Sequence, residues 1–542
     1  MSARHLAAAL AWLLAAPLWA ATPVTPVTPV TPVTPVTPVT PVTPVTGARA
    51  AALYDQHCLA CHGTGRLGGM GPALLPQSLE RLKPGEILAT LRQGRAATQM
   101  PAFAGRLDDT ELNELAAWLG TPPAQPPQWT ATDMAVSRVQ YVAEASLPAS
   151  AQLPAGVDPH NLFVVVEAGD HHVSVVDGDH FTRLARFQSR FALHGGPKFS
   201  PDGRFVYFAS RDGWVSQYDL YSQRMVAEIR VGLSTRNVAV SADGRWVLAG
   251  NTLPETLVLL DAHGLMPRQT WPVRDRHGRL SRVSAVYDAA PRQSFIVALK
   301  DSDELWEISY NPQAAPVYPG MMHDYRMGEG VALPGFLQPR VTALDMVLDD
   351  FFFDPAYRHV MAASREGRAE VIQLDTGVKV ADLALDGMPH LGSGITFERD
   401  GQRLMATPNL KGGKVTVIDM DRWQLVSQIA TPGPGFFLRS HENSPYAWVD
   451  AMMSPRKDTL GIIDKGTLQL VKTLSVRPGK TNAHVEFTRD GRYVLLSIME
   501  NPGELVVLDA TTFAEVVSLP MSKPIGKYNV YNKINRSEGT SH

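Results

Sequence analysis

"FSPDGRFVYFASRDGWVSQYDLYSQRMVAEIRV", residues 199–231, is one copy of a recurring pattern. A D-G turn leads into a run of apolar, strand-forming residues, then a second turn, a second run and a third. The pattern returns in "VSADGRWVLAGNTLPETLVLLDAHGL" (240–265), "FERDGQRLMATPNLKGGKVTVIDMDRWQLVSQIA" (397–430) and "FTRDGRYVLLSIMENPGELVVLDATTFAEVVSL" (487–519). The turn glycines fall at 203, 244, 401 and 491, so the first two are 41 residues apart and the last two 90, or two units of 45. A period of about 40–45 residues with four short strands is the signature of a propeller blade. Degenerate copies near 285–310, 345–385 and 447–475, with the opening unit "NLFVVVEAGDHHVSVVDGDHFTRLARF" (161–187), bring the count to eight. A non-propeller array of β-sandwiches is the competing reading. The D-G turns themselves are structural. Glycine accepts a positive φ and aspartate caps the turn, so they carry no chemistry.

Upstream of the repeats the text is different. Residues 6–20, "LAAALAWLLAAPLWA", follow a short basic start and end in small residues. The run is too short for a bilayer span of roughly 20 residues. It reads as a signal peptide over 1–21, with a retained anchor as the alternative. The mature chain is then periplasmic and has no later membrane span. Eight P-V-T triplets (23–46) follow. Proline at every third position excludes helix and central strand, so 22–46 reads as an extended tether. A net charge of −3 and a pI near 6.6 give no field that would favour nucleic acid.

Both cysteines of the 542-residue chain lie in "HCLACHG" (57–63). C-x-x-C-H is the pattern of covalent c-type haem attachment. Cys58 and Cys61 supply the thioethers and His62 the first axial ligand. The second is expected from Met100, which precedes Pro101, with Met70 in "GGMGP" as the rival. "DDTELNELAAWLG" (108–120) reads as a capped amphipathic helix. Residues 47–121 thus form a small all-α cytochrome c domain. A Pro-rich linker (122–158) leads from it to an all-β eight-bladed propeller over 159–542.

Propellers bind ligands at the axis, where the segments entering the inner strands converge. "FALHGGPKF" (191–199), "GLSTRNVAV" (232–240), "DGMPHLGSGITF" (386–397) and "KTNAHVEF" (480–487) occupy that position. They carry His194, Arg236, His390 and His484. Any one of these histidines alone would be an ordinary core or surface residue. Their recurrence at equivalent blade positions points to one axial pocket. Arg439 and His441 in "FFLRSHE" read as a surface loop, with a place in the pocket lining as the alternative.

The combination of a c-type cytochrome and an eight-bladed propeller resembles the cytochrome cd1 nitrite reductase family. The likeness runs from about residue 50 to 533. It is carried by "LHGGPKFSPDGRFVYFASRDGWVSQYDL", "MPHLGSG" and "PIGKYNVYNK" (524–533). The resemblance implies that the propeller binds haem d1, a macrocycle bearing several carboxylates. It implies His194 as the proximal ligand of the d1 iron, and Lys198, Arg211 and Arg236 as cationic partners of those carboxylates. Arginine's planar fork suits that task. A departure redirects the function. The reductases carry a distal histidine where this chain has Lys300, Asp301 and Ser302 in "IVALKDSDELWEI". Only the other distal histidine has a match, His390. His484, and Tyr528 in place of a family Phe, add acid–base groups instead; a packed ring with a satisfied hydroxyl is the alternative for Tyr528.

This pattern resembles the dihydro-haem d1 dehydrogenases, paralogues that complete haem d1 by turning a propionate into an acrylate. The resemblance implies His390 or His484 as base, with Tyr528 positioning or relaying. It also implies haem c as electron acceptor, a soluble cytochrome or cupredoxin as the next acceptor, and the nitrite reductase as recipient of haem d1. A nitrite reductase with an altered distal pocket and a non-catalytic haem d1 carrier are the alternatives.

Overall fold

The computed structural model describes residues 44–79, 82, 85–95, 100–318 and 332–535. The expected signal peptide, and the tether up to residue 43, lie outside them. The last P-V-T triplet does not follow the tether reading. Helix Pro44–His57 begins on it, because a proline in the first helical turn loses only an N–H that would have had no partner.

That helix packs on helix Asp109–Leu119 across a core of Leu53, Tyr54, Leu91, Phe103, Leu112 and Leu115. The second helix starts as its sequence dictates. Asp108 accepts the Glu111 N–H at 2.8 Å and Glu111 returns the bond to the Asp108 N–H at 3.0 Å, a reciprocal capping box. Gly120 caps the far end. Short helices Leu59–His62, Pro76–Leu79 and Glu86–Gln93 complete the domain.

The rest is eight antiparallel sheets. In blades 2 to 8 the strands follow chain order from the axis outward. Their inner strands are Leu193–Phe199, Ser234–Val240, Val283–Ala289, Asp350–Phe353, Ile395–Arg399, Leu438–Arg439 and Asn482–Phe487. Blade 1 is closed by a distant segment. Its three outer strands are Leu162–Glu167, His172–Asp177 and Arg183–Gln188, and its inner strand is Pro524–Asn529. Phe163 pairs with Asn529, and Val164 with Tyr528. Blades stack through apolar layers, such as Leu248, Leu257 and Leu259 of blade 3 against Val286, Phe295 and Val297 of blade 4. The D-G glycines at 203, 244, 401 and 491 have φ of 74°, 70°, 76° and 76°, the left-handed turn geometry that required glycine.

The Pro-rich connection is built into the propeller. Thr130 caps helix Ala131–Ser137, and Val139–Gln140 adds a fifth strand to blade 2 by pairing with Glu228 and Ala227. Trp129 donates to the Arg230 carbonyl at 2.8 Å, and the Arg230 guanidinium lies 4.7 Å from the centre of its ring. Arg230 also donates to the Leu67 carbonyl in the cytochrome domain. Leu67, Ala73 and Leu75 there pack on Leu233 and Leu253 of the propeller. The linker therefore helps to pin the two domains together.

Candidate functional site

In the cytochrome domain, Cys58 and Cys61 are free thiols on either side of a helical turn, with His62 next in line. His62 Nδ1 lies 2.8 Å from the Pro72 carbonyl, which fixes the ring and leaves Nε2 for a metal. Burial lowers the His62 pKa, favouring the neutral imidazole that ligates iron. Gly71 lies flat on the ring. A Cβ there would come within 2.9 Å of Cε1. Met100 packs against the apolar cluster around Cys58, whereas Met70 is 60 % exposed. These residues fit a covalently held haem c, with Met100 better placed than its rival.

The second site is at the propeller axis, where the inner strands begin. These ends are irregular. Register breaks fall between His194 and Lys198, at the Thr235–Asn237 step, between Val283 and Ala285, and between Ala483 and Val485. A bulge leaves one residue out of the ladder and re-aims its side chain. The residues so released are Arg236, Ser284 and His484. His484 has φ +52°, a region that residues other than glycine seldom occupy.

Contacts between neighbouring blades close a ring around the axis. Arg236 Nε donates to the Ser284 carbonyl at 2.7 Å, and Ser284 Oγ to the Asp349 carbonyl at 2.6 Å. Asp350 accepts from Tyr287 at 2.9 Å and from the Gly392 N–H at 3.0 Å. Burial raises its pKa, and Arg236 counters that. His390 Nδ1 is 2.7 Å from the Phe436 carbonyl. Next comes a continuous aromatic belt. Ring centres are 4.1 Å apart for His390–Phe436, 4.7 Å for Phe436–Phe437, 4.3 Å for Phe437–His484 and 5.3 Å for His484–Tyr528. Tyr528 reaches blade 2, where a Cβ on Gly196 would meet its ring at 3.1 Å.

The structure thus brings together Arg236, His390, His484 and Tyr528. Lys198 stands on the same ring, its Nζ 5.9 Å from the centre of the Tyr287 ring. Arg211 is half-buried at the turn after the second strand of blade 2, its N–H bonded to the Ala192 carbonyl. The backbone of His194 pairs with Ala209; its side chain lies outside the described ones. Where the reductases have a second distal histidine, Asp301 forms a bidentate pair with Arg282.

Electrostatics separate the histidines from ordinary ones. Burial pushes His390 down to about 4. Burial, then Lys527 and Arg439, push His484 well below the usual imidazole range. Both rings are neutral near pH 7. His484 Nε2 is buried with no hydrogen-bond partner among the described residues. Burial raises Tyr528 to about 12, so its hydroxyl keeps its proton.

Two residues read otherwise from the sequence. Arg439 and His441 are each 1 % exposed, not surface residues. The inner strand of blade 7 is only Leu438–Arg439, too short for its alternation to be visible. Lys527 was also missed. It is wholly buried, donating to Ser497 Oγ at 2.8 Å and lying 3.4 Å from His484 Nδ1. Only its alternation with Tyr528 along the closing strand could have flagged it.

The chain matches two family models: "Cytochrome D1 heme domain" over residues 157–324 and 334–533, and "Cytochrome C oxidase, cbb3-type, subunit III" over 46–119. It is 55 % identical to the dihydro-haem d1 dehydrogenase of Pseudomonas aeruginosa, covering 91 % of this chain and 96 % of that protein. It is 23 % identical to a nitrite reductase of Stutzerimonas stutzeri, covering 89 % and 92 %. The solved structure of the dihydro-haem d1 dehydrogenase NirN in complex with DHE superposes with a TM-score of 0.83 at 53 % identity, covering 90 % of this chain and all of that one.

Proposed function

Because the chain belongs to the family built on the cytochrome d1 haem domain, we propose that its axial site is that of a dihydro-haem d1 dehydrogenase, an oxidoreductase. The substrate is a tetrapyrrole whose saturated propionate side chain becomes an acrylate. Two C–H bonds break and one C=C bond forms, so two protons and two electrons leave. The observation that carries this reading is the buried, neutral His484 with its free Nε2, set in a belt of rings beside His390.

The residues divide the work. The aromatic belt offers a flat macrocycle a dry wall. His194, by its match to the reductases, is the residue that would ligate its iron. Lys198, Arg211 and Arg236 answer the carboxylates with charge-assisted hydrogen bonds. A neutral imidazole, His484 or His390, accepts a proton from the side chain. Tyr528, protonated and against His484, positions that ring. Haem c, held by Cys58, Cys61, His62 and Met100, supplies one-electron acceptance when bound. A soluble cytochrome or cupredoxin in the periplasm is the onward acceptor, and a cytochrome cd1 nitrite reductase the recipient of the product. Among the described residues no helix is long and apolar enough to cross a membrane.

The test is incubation of the haem c-loaded protein with dihydro-haem d1 and an oxidised acceptor, followed by mass analysis. The expected result is loss of two hydrogens from the tetrapyrrole. Rapid nitric oxide formation from nitrite and a donor, without that loss, would replace this reading with nitrite reduction.

A further inference from the structure

Each desaturation releases two protons, and the imidazoles that take them are buried. A proton gained at His484 Nε2 is balanced by release of one from Nδ1. That nitrogen faces Lys527 Nζ at 3.4 Å. Burial holds the Lys527 pKa well below its usual value. The amine donates to Ser497 at 2.8 Å, and in its unprotonated form it has a lone pair for a proton.

Glu486, whose charge acts on Lys527, is fully buried near the far end of the blade 8 inner strand. Asn532 donates to its Oε1 at 2.8 Å. Its Oε2 has no hydrogen bond among the described residues, although Arg439 Nε is 3.9 Å away and Lys533 Nζ 3.8 Å. Arg439 Nε is likewise unpartnered. So is Nε2 of His441, whose Nδ1 accepts the Asn443 N–H at 3.1 Å and so leaves the ring proton on Nε2. An orphan acceptor 3.9 Å from an orphan donor is the pairing that ordered water satisfies. His441 in turn lines a cavity of about 560 Å³ with Phe353, Tyr357, Phe397, Glu442 and Lys465. Phe353 and Phe397 lie at or near the C-terminal ends of their inner strands, and His441 and Glu442 just beyond theirs. The axial site is at the opposite ends.

We propose that His484, Lys527 and Glu486 form a proton exit running through the propeller to the His441-lined cavity, on the face away from the substrate. No net charge is stored. Each group accepts one proton and passes one on, while the two electrons leave separately through haem c. Arg439, Lys533 and Lys527 are the basic side chains that face Glu486. Asp450 and Tyr528 complete the charged and titratable surroundings of Lys527 and His484. Glu486 and Lys527 act through His484, so they are positioning and relay groups rather than catalytic ones.

This route rests on the dehydrogenase reading of the same site. Its test compares single-turnover conversion of dihydro-haem d1 by the haem c-loaded wild type with Glu486→Gln, Glu486→Asp and Lys527→Met. Glu486→Gln keeps the shape and the Asn532 contact. It is expected to bind the tetrapyrrole with unchanged spectrum and affinity, yet convert it about 10²-fold more slowly. The residual rate should show a larger solvent deuterium effect, and small weak acids such as formate should restore it. Glu486→Asp should recover most of the rate. Wild-type conversion with an unimpaired Glu486→Gln overturns the exit alone. No conversion by the wild type overturns the dehydrogenase reading and the exit with it. Should Lys527→Met fail to fold, the Gln and Asp variants still decide.

Discussion

His484 sits in a backbone conformation that its side chain disfavours, at a bulge, buried, with one ring nitrogen unpaired. Such strain persists where the surroundings over-determine it, and it gathers at sites of chemistry. If His484 or His390 is the base, its Ala variant should still bind the tetrapyrrole but convert it roughly 10²- to 10⁴-fold more slowly. Undiminished turnover in both variants would remove both residues from that role. The pH profile gives a second check. Each ring binds its proton less tightly in the folded protein than free imidazole does, so the active neutral form persists into acid. The acid limb of kcat/KM should therefore lie below about 6.5, the ordinary histidine value. A limb at or above it would exclude both rings. The same shift has a stability consequence of fixed sign. The unfolded chain binds more protons between about 6.5 and about 4, the value to which burial pushes His390. Stability should fall over that window as pH drops, and His390→Gln should lessen the fall in melting temperature.

At the level of strands, what the sequence displays is the turn rather than the bulge. A D-G pair every 40-odd residues is visible because glycine alone tolerates those φ values at low cost. Four such pairs, with three degenerate copies and the opening unit, were enough to recover eight blades and to put His194, Arg236, His390 and His484 in the segments that enter inner strands. A register break leaves no such mark. Nothing in "TNAHVEF" announces that His484 is left out of the ladder. Nothing in "FFLRSHE" announces a two-residue inner strand with Arg439 buried. The turns allow a controlled experiment. Gly401 and Gly491 share φ +76°. A Cβ on Gly401 meets nothing within 4 Å, but one on Gly491 would fall 2.4 Å from His441 Nδ1. Gly401→Ala should cost about 1 kcal/mol, the backbone penalty alone. Gly491→Ala should cost clearly more in a denaturant titration. Equal costs would mean that the His441 ring yields freely.

Across the whole molecule, one arginine couples the two domains. Arg230 lies by the Trp129 ring and donates to the Leu67 carbonyl, five residues after His62, the proposed haem ligand. The paired change Arg230→Ala and Trp129→Ala should leave the haem c spectrum and tetrapyrrole binding intact. It should slow substrate-driven reduction of haem c by at least about 10-fold, because small misplacements of reacting partners are costly. An unaltered reduction rate would show that this contact does not set the docking. Blade 1 carries a different consequence. Its inner strand, Pro524–Asn529, holds Lys527 and Tyr528 and is separated in sequence from its three partners by the other seven blades. During synthesis, the first blade must wait for residue 529 before it has an axial edge. A chain cut short upstream cannot be a weakened enzyme that traps a reactive tetrapyrrole half-converted; it has no pocket to trap it in. The ring and the site come into being in the same event, so loading can only follow completion.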